Sequence, residues 1–84
     1  MGMALSPPVY DPHAELRMRQ RRITGEQVER VLRDHHTSHP AEPLRNSRFR
    51  SRIYVGTVDG RDLKVYIRDD SDPPYVTTVA WKDE

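Results

Sequence analysis

The chain has 84 residues and a formal net charge of +1, a length that sets one small domain burying roughly 60–65% of the surface its unfolded chain exposes. It has no cysteine and no apolar run near the roughly 18 residues of a membrane span, which excludes disulfide staples, thiolate metal sites, a cysteine nucleophile and a membrane-spanning helix. The charge is uneven: residues 17–52 hold ten arginines against four acids (Glu26, Glu29, Asp34, Glu42), a balance of +6, and the remainder carries −5.

Residues 1–10 contain "SPP" and little pattern, so a flexible arm is expected there, with a single α+β domain over 11–84. "MGMALSPPVYDP" lacks a basic region followed by an apolar core, so no signal peptide and a cytoplasmic location are expected. Asp11 suits a helix cap and Pro12 the first helical position, so helix one runs from Pro12 to Arg21 or Arg22. On that helix Ala14 and Met18 share one side, Leu16 lies on another, and His13, Arg17 and Gln20 fall together. Thr24 and Gln27 have the spacing of a capping box, and Ile23 and Val28 that of a hydrophobic staple. Val28, Val31 and Leu32 then form the stripe of a core-facing helix.

"DHHTSHPAEPLRNS" reads as a loop from its prolines and small polar residues. After it the period becomes two, and "RFRSRIYVGTV", "DG", "RDLKVYIR" predicts a β-hairpin. Leu63, Val65 and Ile67 form one apolar face, which Ile53 and Val55 are expected to join. A three-residue loop, Val58-Asp59-Gly60, satisfies that demand by pairing Ile53 with Val65 and Val55 with Leu63. The other face then carries Arg50, Arg52, Tyr54, Lys64, Tyr66 and Arg68. "YVTTVAWK" predicts a further strand with Val79 and Trp81 inward and Thr78 outward, near Tyr66. The expected architecture is two N-terminal helices packed on a small three- to four-stranded antiparallel sheet.

Three groups of residues carry chemistry. His13, Arg17 and Arg21 recur at one helical turn, and with Tyr66, Arg52 and Thr78 they form a candidate set for cutting RNA. Histidine moves a proton near neutral pH and arginine holds phosphate. The plainer reading is a solvated basic helix. The basic, aromatic sheet face, with Arg48, Arg50, Arg52, Tyr54, Lys64 and Arg68, is a candidate RNA-binding surface, because rings stack bases and cations hold the backbone. An ordinary exposed sheet face has the same composition. His35, His36 and His39 are candidate metal ligands, or simply cations favoured at a helix C-terminus. There is no phosphate-cradling glycine loop, GxSxG elbow or HExxH motif, and no cofactor is implied.

"HAELRMRQRRITGEQVERVL", "RDLKVYIRDD" and "YVTTVAWK" together resemble a bacterial family catalogued as domain of unknown function 4258. The matching positions are His13, Arg17, Met18, Arg21, Ile23, Thr24, Val28, Val31, Leu32, Val65, Thr78 and Val79, within residues 13–81. That family is similar to RelE-like toxins and other small ribonucleases with two helices on an antiparallel sheet. The resemblance implies a RelE-like fold, a possible metal-independent endoribonuclease and an antitoxin partner. It also puts His13, Arg17, Arg21 and Thr78 on the family's recurring polar positions. In the last strand and tail, where such toxins usually carry basic or aromatic catalytic residues, this chain has "WKDE". The alternative is a non-catalytic module that binds RNA or an acidic protein; no membrane partner is expected.

Overall fold

Asp11 starts the first helix as its residue type predicts. In a computed structural model, whose described residues are 7–41, 51–68 and 73–83, its carboxylate accepts the His13 N–H at 2.8 Å. Helix α1 spans Pro12–Arg21, and Arg22 closes it in the left-handed region at φ 55°. Thr24 and Gln27 make both bonds of the capping box, and α2 spans Gly25–Asp34. Ile23 and Val28, the staple pair, are both buried. Helix α1 reaches the core with little: Ala14 is buried and Met18 packs against the cluster, while Leu16 is exposed. Helix α2 presents Val28, Val31 and Leu32, as its stripe predicts.

The sheet has five strands, β1 (Val9–Tyr10), β2 (Thr37–Pro40), β3 (Ser51–Val58), β4 (Arg61–Arg68) and β5 (Tyr75–Trp81), ordered β1-β5-β4-β3-β2. This corrects the expectation of three or four antiparallel strands. Val9–Tyr10, expected in the arm, pairs parallel with β5, through Val9 N–H to Pro74 O and Asp11 N–H to Val76 O. Two residues have no readable period, so only the partner reveals the strand. Thr37–Pro40, expected as loop, pairs antiparallel with β3. Its proline is tolerated because β2 is an edge.

The hairpin register also differs from the expected one. Val58 pairs with Arg61, so the loop has two residues, Asp59 and Gly60, at φ 51° and 81°. Positive φ at both positions is the type I′ turn that Asp-Gly favours. Ile53 therefore opposes Tyr66, and Val55 opposes Lys64, while Tyr54, Gly56 and Val58 fall on the side of Leu63 and Val65. Close packing accompanies this choice. Gly56 lies against α2, where an added Cβ would meet Val31 Cγ2 at 3.2 Å and its Cα at 3.3 Å.

Strand β5 breaks its own alternation. The register shifts between Tyr66 and Ile67, which oppose Thr78 and Val76, and Thr77 is the extra residue, its hydroxyl donating to Tyr66 O at 3.2 Å. The bulge turns Val76 inward along with Val79 and Trp81, all three buried. The core thus lies between the helices and one side of the sheet, with Leu63, Val65 and Val79 at its centre. No helix among the described residues is long and apolar enough to cross a membrane.

One carboxylate ties this layer to the sheet. Asp11 caps α1 and accepts the Tyr75 hydroxyl at 2.6 Å. That hydroxyl, and then the His13 N–H, hold Asp11 below its ordinary 3.8, and the same carboxylate holds the Tyr75 phenol above its ordinary 10.0. The lowered acid adds stability that is full above 3.8 and fades as pH falls through its folded value. The raised phenol adds stability that is full below 10.0 and fades as pH rises through its own. In urea melts across pH, Tyr75→Phe is expected to shrink the alkaline decline to the part contributed by Tyr10, whose phenol burial also holds above its ordinary 10.0, and to flatten the acid one. Curves unchanged from wild type would show that the bond does not form.

Candidate functional site

Strand parity divides the expected site residues between two layers. His13 and Arg17 lie exposed or half-buried on α1, in the helix layer. Arg17 Nε is 3.4 Å from His13 Nε2, and its Nη1 donates to Gln20 Oε1 at 3.2 Å. The three residues share a side as their spacing predicts. Arg21 turns inward instead: Nη1 donates to Val79 O at 3.0 Å, and its own carbonyl accepts the Trp81 indole N–H at 3.0 Å. It clamps α1 to β5.

Tyr66 and Thr78 oppose each other, as expected. They alternate with Val65 and Val79, so they point away from both helices. The structure therefore does not bring His13 and Arg17 to Tyr66 and Thr78; the sheet lies between them. Arg52 and Tyr54 are parted from Lys64, Tyr66 and Arg68 as well, because the two-residue turn puts them on the helix side. There Arg52 Nε donates to Ser38 Oγ at 3.2 Å, and His35 meets the Tyr54 ring edge-on at 4.8 Å. Arg48 and Arg50 lie outside the described residues.

What the register does bring together is the side of the sheet away from the helices. Along β4 it carries Asp62, Lys64, Tyr66 and Arg68. Ile53, Val55 and Thr57 stand beside them from β3, and Thr78 and Ala80 from β5. Arg68 lies over the Tyr75 ring at 5.6 Å from its centre. Thr37 and His39 extend the surface onto β2. Most of these side chains are half-buried; Val55, between Thr37 and Lys64, is buried. The surface thus joins rings and aliphatic area to cations.

The family model described as Domain of unknown function (DUF4258) matches residues 10–81. The chain belongs to that family. No curated protein and no solved structure matches it. The family description assigns no activity. The four polar residues that the resemblance singles out lie in different places in this chain. Arg21 is a clamp, His13 and Arg17 are on the outer side of α1, and Thr78 is on the open sheet face.

Sequence reasoning missed one cluster at the end of that face. His36 Nε2 lies 3.3 Å from Asp62 Oδ1, which also accepts the Thr57 hydroxyl at 2.8 Å. Thr57 first, then His36, hold the Asp62 carboxyl below the ordinary carboxylate range, so it stays ionised. Sequence proximity groups His36 with His35 and His39, yet His35 turns to Tyr54 and the Leu32 carbonyl. Among the described residues no three histidine, aspartate or glutamate side chains converge as metal ligands. Twenty-six positions separate His36 from Asp62. No local spacing signals such a pair, which only strand pairing creates.

Proposed function

We propose that this domain binds single-stranded RNA across the open face of its sheet. The supporting observation is the alternation of Lys64, Tyr66 and Arg68 on the side away from both helices. Lys64 and Arg68 are about 13 Å apart along the strand, with the Tyr66 ring between them. A base stacks on such a ring while flanking cations hold the phosphates on either side. Thr78, beside Tyr66, adds a hydroxyl that hydrogen-bonds ribose or base edges. Fluorescence anisotropy with a labelled single-stranded RNA tests this. Tyr66→Ala is expected to weaken binding by roughly 1–3 kcal/mol, about 5- to 150-fold. Log affinity is expected to fall linearly with log salt, and Lys64→Ala to make that slope shallower by about 0.7. Absence of binding at low salt would sink the RNA reading and favour an acidic protein partner, such as an antitoxin.

A further inference from the structure

Three side chains form a hydrogen-bonded line at one end of the open face. Thr37 Oγ1 lies 2.8 Å from His36 Nδ1, and His36 Nε2 lies 3.3 Å from Asp62 Oδ1. An ionised carboxylate only accepts, so Nε2 carries the proton that faces Asp62. Nδ1 is then the acceptor, and it already receives a hydroxyl, that of Thr37. An imidazole that accepts a hydroxyl at one nitrogen and donates to a carboxylate at the other is arranged as a general base. The fold does not need this ring, because the His36 backbone N–H attaches the strand to Val55 O at 2.9 Å. His36 is 46% exposed and Asp62 31%, so a substrate reaches the pair.

Its position gives the pair a substrate. Asp62 precedes Lys64 by two residues and Tyr66 by four on one face of β4, and Thr37, Val55 and Lys64 share a cross-strand row. The imidazole therefore flanks the phosphate site of the platform. We infer that His36 is the general base of RNA cleavage on this face, with Asp62 as its positioning residue. This rests on the reading that RNA lies across Lys64 and Tyr66. A ribose 2′-hydroxyl replaces the Thr37 hydroxyl at Nδ1 and gives it a proton. O2′ bonds to phosphorus, and the P–O5′ bond breaks with its electron pair going to O5′. O5′ takes a proton from water, and the imidazolium returns its proton to the hydroxide left behind. The products are a 2′,3′-cyclic phosphate and a 5′-hydroxyl, with no electron gained or lost. Lys64 offsets charge on the phosphate.

The test uses the full chain and an end-labelled single-stranded RNA. Wild type is expected to leave 2′,3′-cyclic phosphate ends, and to bind but not cut RNA whose 2′-hydroxyls are all methylated. His36→Ala is expected to slow cleavage about 10²- to 10⁴-fold, with RNA affinity unchanged and a cooperative thermal melt retained. Asp62→Asn is expected to lower kcat at unchanged KM, which mere loosening of the strand would not do. Wild type that binds RNA yet cuts no faster than His36→Ala overturns the assignment and leaves the platform standing. Failure of wild type to bind RNA at low salt overturns both.

Discussion

Replacement of Leu63 by alanine is expected to lower stability by about 2–5 kcal/mol, the range for a fully buried leucine whose loss leaves a cavity. Leu63 is 0% exposed, opposite Gly56 on one strand and Trp81 on the other. Gly56 has no side chain to move into the space, and Trp81 is fixed by its indole bond to Arg21 and by Arg61 over its ring at 4.2 Å. Partial collapse is therefore restricted, which places the loss toward the upper part of the range. In a domain of this size each kcal/mol shifts Tm by about 4–8 °C, so thermal melts read the effect directly. Leu63→Met, which conserves volume, is expected to cost less than about 1.5 kcal/mol. Equal, small losses in both variants would mean that Leu63 is not enclosed.

Gly56→Val is expected to destabilise by about 1–3 kcal/mol or more, because it overpacks a closed contact. The added Cβ alone meets three Val31 atoms at 3.2 to 3.4 Å, one of them the helix Cα, which no rotamer change removes. A valine gains at most about 1 kcal/mol from strand propensity over glycine, so the clash wins. The same substitution separates the two hairpin registers. With a three-residue turn, residue 56 would point away from α2 and valine would be tolerated. A double-mutant cycle of Gly56→Ala with Val31→Ala is expected to show favourable coupling of at least about 0.5 kcal/mol, since the second truncation opens room for the first. Urea melts supply both numbers. A neutral or stabilised Gly56→Val would overturn the contact between α2 and β3 at this point.

Local chemistry was legible in the residues themselves. Asp11, Pro12, Thr24 and Gln27 each act on backbone groups within three positions, and both helices begin where those residues place them. The Val28, Val31, Leu32 stripe and the Leu63, Val65, Ile67 alternation likewise report burial directly. The candidate site was less legible. Tyr66 stands beside Thr78 as the strand alternation predicts, whereas Arg52 and Tyr54 lie on the helix side, one residue off the predicted hairpin register. Counting apolar residues favoured Ile53 and Val55 as core. The turn geometry of Asp59-Gly60 and the tight approach of Val31 to Gly56 outweighed that count.

The sequence by itself determined the two capped helices, the three longer strand segments and the excess of arginine over residues 17–52, because propensity, capping and composition act locally. Tertiary structure alone decided the parallel β1, the edge strand β2 and the bulge at Thr77. Each of these depends on a partner strand or helix that no local pattern encodes. The same non-local pairing set Arg21 Nη1 on a strand carbonyl, and joined His36 to Asp62 on the face that carries Lys64 and Tyr66.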